Sequence, residues 1–389
     1  MANVIIPGRG VILAKIESSY GTDASPGAAD VIYVEDFEAT YSQDMRPRAG
    51  LQPEAQGLMS VPTGGHVSWA GTIEIQPQTI TTAATQSPIG DMFLRAVGFS
   101  RHPDASANKS ITYALRTAEH ESVSIWASEA NSDNTDCNRI KIIGARSDFS
   151  LSIIPGDIIT LAMSNGFGVA QALTGVAATQ TDNVIKDKGS ALTSVTYSAL
   201  KPLLGHNATA RLIDNSSGTV YGGGSIASPN NDLLVRSCVI NGNMAPTEQL
   251  GISAAQGIGR VALRPVMHSL EQTSLGTGAG DFNPYVLRAN STSFEVNLKF
   301  PQPGTAGNTL QVACFGQIVD IAQGEDGGNK TYDLTLELRY PRSADGTTAT
   351  GLAPANTITD DSSGDARGID LTLAAGYPAT KLLLQFATA

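Results

Sequence analysis

The chain has 389 residues, of which 41% are hydrophobic, so it is long enough for two ordinary domains and too apolar for wholesale disorder. Charged residues make up only 16%, below the roughly 25% of an average soluble chain, and the 40 glycines favour short strands and turns over long charged helices. The net charge of −11 disfavours a protein that grips nucleic acid through its phosphates.

Strand patterns dominate the first part of the chain. An apolar strand is predicted at 32–41, and HVSWAGTIEIQ at 66–76 places its apolar residues on one face with a period of two. A further alternating run at 149–153, followed across Pro-Gly by an apolar run at 157–164, predicts a β-hairpin. These patterns indicate antiparallel sheets with one buried and one solvated face.

Helical patterns are few. The segment SPIGDMFLRAVGF at 87–99 predicts a short helix capped by Ser87, with Pro88 at its first position and Gly98 at its end. A weaker helix is predicted for GNTLQVACFG at 307–316.

Strand patterns return in the second part. They occupy 232–240, 293–300 and 331–340. The final apolar runs, IDLTLAAGY at 369–377 and TKLLLQFA at 380–387, would aggregate if exposed, so each must pair with this subunit's own sheet or with a neighbour's.

A polar, Pro- and Gly-rich loop is written twice, as MRPRAGLQPEAQG at 45–57 and MAPTEQLGISAAQG at 244–257. The offset is 199 at the front (244 − 45) and 200 at the back (255 − 55). In both halves the loop is followed by a strand, a short helix and a terminal sheet. We interpret this order as an ancient duplication, with chance recurrence of short loops as the alternative.

This reading divides the chain into four parts: a first β domain with an N-terminal arm at 1–175, a Gly/Ser/Thr-rich junction or small inserted sheet at 176–229, a second β domain at 230–342, and a C-terminal extension at 343–389.

No pattern typical of enzymes is present. The five histidines are scattered without metal-ligand spacing, and there is no nucleophile elbow or phosphate-binding loop. The Asp- and Asn-rich stretches at 324–333 and 360–365 lack calcium-loop spacing and predict turns. We therefore expect no enzymatic activity, no cofactor and no metal.

The three cysteines and the chain ends suggest where the protein works. Cys137, Cys238 and Cys314 are an odd number without CxxC spacing, which is typical of a reducing compartment. We expect no transmembrane helix and no Sec export, because there is no apolar run of about 18 residues and no clean signal cleavage site.

One resemblance is specific. The opening GVILAKIESSYGTDASPGAADVIYVEDFEATY at 10–41 resembles that of the major tail tube proteins of long-tailed, non-contractile (siphovirus-type) bacteriophages. Weaker echoes follow in order at 93–99, at 142–153 and in the late AGNTLQV…YDLTLELRY. The junction and the tail after Arg342 have no clear counterpart in that family.

The resemblance implies a mainly β fold of two tail-tube-like β-sandwich or split-barrel domains with short flanking helices. The inner sheets would close into a β-barrel in an assembled ring, and stacked rings would form the tail tube. Its acidic channel would let double-stranded DNA pass into the host without sticking. A trimeric ring with pseudo-sixfold symmetry is favoured over a hexamer.

The resemblance further implies a structural virion protein of the tail, assembled in the host bacterial cytoplasm. Its partners would be further copies of itself and the tape-measure, tail terminator and distal tail proteins, with no membrane. The alternatives are a capsid decoration or tail terminator protein and, less favoured with 6% aromatic residues, a receptor- or carbohydrate-binding β-protein.

Two groups of site residues follow from these interpretations. In the family a long loop reaches the adjacent ring, which here falls on 44–65 and 243–258. An ion pair of Arg46 or Arg48 with the next copy is the sharper reading, and a solvated loop the plainer one. The candidates for inter-ring contact are Asp44, Met45, Arg46, Pro47, Arg48, Gln56, Gly57, Met244, Pro246, Glu248, Gln256 and Gly257. The candidates for the channel face are Glu74, Ser150, Ser152, Glu295, Asp333 and Glu337.

Overall fold

The structure is a computed structural model of the whole chain. It describes residues 5–48, 58–76, 80, 88, 90–103, 110–115, 121–131, 136–154, 156–170, 186–190, 202–204, 209–214, 220–221, 234–235, 237–242, 248–249, 257–258, 270–271, 282–301, 309–326, 329–338 and 382–387.

Strands make up most of the described residues. Those of the first part are β1 (Ile5–Ile16), β2 (Val31–Ile32), β3 (Glu35–Arg48), β4 (Leu58–Glu74), β5 (Phe99–Pro103), β6 (Ser110–Leu115), β7 (Val123–Asn131), β8 (Asp136–Ile153), β9 (Thr160–Ala170) and β10 (Lys186–Ser190). Those of the second part are β11 (Thr209–Asp214), β12 (Val220–Tyr221), β13 (Leu234–Val235), β14 (Cys238–Asn241), β15 (Glu248–Gln249), β16 (Gly257–Ile258), β17 (Leu270–Glu271), β18 (Ser293–Pro301), β19 (Thr309–Asp326), β20 (Asn329–Leu338) and β21 (Leu382–Ala387). The helices are α1 (Asp91–Ala96), α2 (Pro284–Ala289) and a short 3-10 turn at Ala28–Asp30.

The strands form two large antiparallel sheets and one small hairpin. The first sheet runs β2-β1-β7-β8-β9-β4-β3, and β10 and β14 both pair with β8. The second runs β12-β11-β18-β19-β20-β17-β13, and β21 pairs with β19. The third sheet is the hairpin of β15 and β16. Within the part of the chain that the structure describes, neither path closes into a barrel.

The two paths correspond strand for strand. Each begins with a hairpin, β1–β2 or β11–β12, and places the longest strand, β8 or β19, at its centre. A strand late in each half, β10 or β21, pairs with the first residues of that central strand. The strands from the junction at 176–229 thus belong to both large sheets: β10 to the first, β11 and β12 to the second.

The sheets exchange strands. In the second sheet, β6 pairs with β21 and β5 with β6, although both precede β7 in the chain. In the first sheet, β14 from the second part pairs with β8. The predicted C-terminal strand therefore pairs inside its own subunit. The run at 369–377 lies outside the described residues.

The period-two patterns predicted the buried faces correctly. Burial of the apolar side chains stabilises each sheet by roughly 25 cal/mol per Å² removed from water. The buried residues of the predicted strands are Val67, Trp69, Ile73, Ile75, Phe149, Leu151, Ile153, Leu161, Met163, Phe294, Val296, Leu298, Phe300, Tyr332, Leu334, Leu336 and Leu338.

The helix predictions were right in one place and wrong in another. Helix α1 forms, but it begins at Asp91 rather than at Pro88, because Gly90 precedes it with φ 94°, a left-handed conformation that glycine adopts easily. Gly98, with φ 96°, follows its end as predicted. Ser87 lies outside the described residues.

The helix predicted at 307–316 is wrong, because these residues enter β19. Leu310, Val312 and Cys314 are all buried there, with β18 on one side of the strand and β21 on the other. The second helix is instead α2, which no sequence pattern had predicted. Asn283 caps it by accepting hydrogen bonds from the backbone nitrogens of Tyr285 and Val286, and Pro284 is its first residue.

Candidate assembly surfaces

The first predicted loop is largely a β-hairpin. The backbone at 44–48 continues β3, and the backbone at 58–65 continues β4, with Asp44 opposite Thr63 and Arg48 opposite Leu58. The expectation of a loop is therefore wrong for Asp44, Met45, Arg46, Pro47 and Arg48. The antiparallel pairing of β3 with β4 therefore continues through this segment. We call the paired strands at 44–48 and 58–65 the arm; Gln56 and Gly57 lie outside the described residues.

The second copy of the motif also forms a hairpin. Glu248 in β15 is opposite Ile258 in β16, and Gln249 is opposite Gly257. Both copies of the motif therefore contain paired antiparallel strands. Glu248 and Gly257 are thus paired strand residues. Met244, Pro246 and Gln256 lie outside the described residues.

The channel-facing candidates fall into two separate groups. In the first sheet, Glu74 and Ser152 are both opposite Thr160, on β4 and β8 respectively, so the three residues form one row across the sheet. Ser150 lies two residues further along, opposite Ala162. Glu74, Ser150 and Ser152 are half-buried and alternate with buried apolar residues, which places them on the face away from the core.

The remaining candidates lie in the second sheet. Asp333 and Glu337 are half-buried on β20 and alternate with buried leucines. Glu295 is in β18, where its backbone is opposite Phe315. The structure thus brings the candidates together as one group per sheet, and their position on a channel remains a prediction.

A buried carboxylate explains part of the motif that carries the family resemblance. Glu17 is 7% exposed. It accepts hydrogen bonds from the backbone nitrogens of Gly21 (2.8 Å) and Gly144 (2.7 Å) and from the hydroxyls of Ser122 (2.6 Å) and Ser124 (2.8 Å). These bonds fix the turn after β1 onto β7 and β8. A buried charge with four donors is well satisfied, so its role is structural.

A second buried carboxylate joins α1 to the strand exchange. Asp91 is 5% exposed and accepts a hydrogen bond from the hydroxyl of Tyr113 on β6. Arg95 lies 3.4 Å from the same carboxylate and also pairs with Glu121, while Arg101 approaches within 3.7 Å. Burial and the neighbouring Asp91 raise the pKa of Tyr113 well above its usual value. This network holds the first sheet's helix against a strand of the second sheet.

The pairing of β14 with β8 is a junction between the two parts of the chain, which we call the internal junction. Cys238 is opposite Ile153, and Ile240 is opposite Leu151. All four side chains are at most 4% exposed. Burial raises the pKa of the Cys238 thiol to about 12. Beyond the strand, the backbone nitrogen of Gly242 donates to the carbonyl of Phe149 at 2.8 Å.

The surface missed by the sequence reasoning is the end of β19. From Ile318 to Asp326 this strand pairs with β20 alone among the described residues, and Ala322, Gln323 and Glu325 are exposed. Helix α2, which lies beside this edge, could have been predicted from Asn-Pro at 283–284, a typical helix start.

Exposed apolar side chains lie beside that edge. On α2, Tyr285 and Val286 are 38% and 50% exposed. The Gln323 side-chain nitrogen donates to the Tyr285 hydroxyl at 2.8 Å, and the Tyr285 ring packs edge-on against Tyr332. The edge of β19 and this face of α2 therefore form one continuous surface.

The described residues include no group of three or more His, Cys, Asp or Glu side chains placed to hold a metal ion. Cys137, Cys238 and Cys314 are buried and form no disulfide. In the described part of the chain, no helix has the length and apolar character needed to cross a membrane. No protein-family model and no curated protein matches the chain.

Proposed function

We propose that this protein is the structural subunit of a phage tail tube, polymerising into stacked rings around an acidic channel for the genome. The observation that carries the proposal is the corresponding strand order of the two large sheets, β2-β1-β7-β8-β9-β4-β3 and β12-β11-β18-β19-β20-β17-β13. Repeated β units whose edges have no partner strand among the described residues favour self-assembly over catalysis, and the opening at 10–41 resembles the subunits of such tubes.

Duplication gives the ring its symmetry in this proposal. Two tube domains per chain, each built around one of the two large sheets, make a trimeric ring with six quasi-equivalent positions. The antiparallel pairing found in both copies of the motif supports a common origin for the two hairpins as well as for the sheets. In a closed ring of sheets no edge strand is left exposed, which removes the aggregation hazard of open edges.

Each hairpin motif would reach the adjacent ring. A hairpin of two paired strands satisfies its own backbone hydrogen bonds, so the arm can leave the body of the subunit without exposing unpaired groups along its inner side. The arm and its second copy would occupy alternate positions around each ring.

Charge supports passage of DNA rather than binding. The net charge of −11 repels phosphates, and the row containing Glu74 places a carboxylate on the sheet face away from the core. A channel with this sign releases no counterions when DNA passes.

Negative-stain electron microscopy of the purified protein tests the proposal. We expect hollow rings or tubes whose end-on class averages contain three subunits with six similar lobes. Rings of six subunits would retain the tube and contradict the duplicated-domain arrangement. Closed particles that never stack would favour a decoration or terminator protein. A monomer at high protein concentration would contradict the proposal.

A further inference from the structure

The end of β8 at the internal junction can be compared with the corresponding end of β19 in the second sheet. In the first sheet, the last residues of β8 pair with β9 on one side and with β14 on the other. In the second sheet, the corresponding end of β19 pairs with β20, and its other side has no partner among the described residues. The end of β8 is therefore covered by this chain, and the end of β19 has an open edge within the part of the chain that the structure describes.

The register identifies equivalent residues on the two central strands. The first residue of β7, Val123, is opposite Ala145, and the first residue of β18, Ser293, is opposite Gln317. The resulting offset of 172 (317 − 145) places Gln323 at the position of Leu151 and Glu325 at the position of Ile153.

By the sequence offset of 199, β13 is equivalent to the start of β3, and β14 is equivalent to the middle of β3. The Met-x-Pro offset of 199 places Ala39 at the position of Cys238 and Tyr41 at that of Ile240. The inward phase agrees, because Ala39 and Tyr41 pack against the core while Thr40 and Ser42 are exposed. In the described structure β3 pairs only with β4 and ends the path of its sheet.

We infer that β3 of one copy adds antiparallel to the end of β19 of a second copy, repeating between chains the contact that β14 makes with β8 inside one chain. In this pairing Tyr41 lies opposite Gln323, and Ala39 lies opposite Glu325. The partner's Tyr41 would also approach the exposed face of α2, at Tyr285 and Val286. The contact is head-to-tail, so it joins copies in one direction and closes when the rotation per copy completes a ring.

This inference deepens the proposed function and rests on it, since it names the surface by which the ring would form. A second copy is the occupant that the structure favours, because the occupant's edge has an internal precedent in β14. The exposed apolar pair on α2 is an independent reason for a protein partner at this place.

Cysteine pairs test the register. Directly opposed residues of antiparallel strands have Cα atoms roughly 4.5–5.5 Å apart, within the range that a disulfide spans. The double variant Y41C/Q323C, oxidised after assembly, should give a ladder of dimers and trimers on non-reducing gels that ends at the trimer of a closed ring. A second variant, A39C/Q323C, detects a pairing that is slipped by two residues. The native protein, whose three cysteines are buried, should give no ladder.

Single variants test the direction of the contact. Y41C alone and Q323C alone should stay uncross-linked, and a mixture of the two should stop at dimers. A dimer from either single variant would show a symmetric contact and overturn the inference. The control pair Y41C/D157C uses another exposed residue, in the turn between β8 and β9, and should not form a ladder.

Electron microscopy of the same samples separates the two proposals. Rings or tubes without a ladder from either double variant would overturn the β3–β19 pairing and leave the tail tube proposal intact. Absence of both rings and cross-links would overturn both.

Discussion

The central strands β8 and β19 are each 18 residues long and occupy the same place in their sheets, yet their ends differ in chemistry. Leu151 and Ile153 on β8 are buried, and β14 pairs beside them in the same sheet. The equivalent residues on β19, Gln323 and Glu325, are exposed. An edge strand that its own chain covers can carry apolar side chains. An edge strand that pairs with another copy only on assembly needs polar side chains, because these limit uncontrolled pairing.

A second difference is that another strand exchange, between β6 and β21, joins the two parts of one chain. Between α1 and β7 the chain forms β5 and β6, and β6 pairs with β21. Between Ala289 at the end of α2 and Ser293 at the start of β18 there is room for only three residues. The exchange of β6 therefore has no equivalent between copies, and we expect assembly to depend on protein concentration while the internal junction does not.

The largest expected effect comes from breaking the exchanged strand β21. Phe386 is 1% exposed, and its ring packs edge-on against Tyr113 at 5.8 Å. F386A should destabilise the protein by about 3–5 kcal/mol, because it leaves a cavity between the exchanged strands. Urea denaturation of the dissociated subunit measures this loss. The control I154A, at a side chain that is 43% exposed, should cost less than about 1 kcal/mol; equal losses would contradict the importance of the exchange.

The matched pair I240A and Y41A compares the internal junction directly with its proposed counterpart. I240A should lower the free energy of unfolding by roughly 2–4 kcal/mol at any protein concentration, because Ile240 is fully buried within one chain. Y41A should cost less in the dissociated subunit and should raise the concentration needed for assembly. Denaturation and analytical ultracentrifugation measure the two effects. If Y41A left assembly unchanged, the equivalence of β3 and β14 would be wrong.

The smallest effect concerns the hydroxyl of Tyr113, which donates to the buried Asp91. Y113F should cost roughly 1–2 kcal/mol near neutral pH, since Asp91 loses a donor. The raised pKa of Tyr113 adds a pH dependence, because the folded protein keeps a proton that the unfolded chain loses above pH about 10.

This stabilising term is complete below that pH and is lost as the pH rises toward the folded pKa. The stability difference between the native protein and Y113F should therefore narrow above pH about 10, as measured by denaturation at several pH values. A difference that is constant with pH would contradict the raised pKa.

Most of the strands could be predicted, because a sheet with one buried face imposes a period of two that is visible in the letters. Phe294 to Phe300 and Leu334 to Leu338 are examples. The failures came from short segments. The run at 307–316 is too short for its apolar residues to distinguish a helix from a strand. Helices α1 and α2 both have only six residues, too few to show a helical period, and α1 was predicted from the Pro and Gly residues that flank it.

The arm was misread for a different reason. Pro, Gly and Arg residues near 45–57 are typical of loops, but two edge strands can tolerate them when only one side of each needs hydrogen bonds. The repeated sequence was the better guide, since both copies contain paired antiparallel strands.

By itself the sequence determined the β class, the buried faces and the internal repeat, since each is written as local periodicity or as copied letters. Only the tertiary structure decided which strands are neighbours: that β21 joins β6, that β14 covers β8, and that the end of β19 has an open side among the described residues. Backbone hydrogen bonds between strands carry no residue identity, so pairing between distant strands depends on shape and burial across the whole fold.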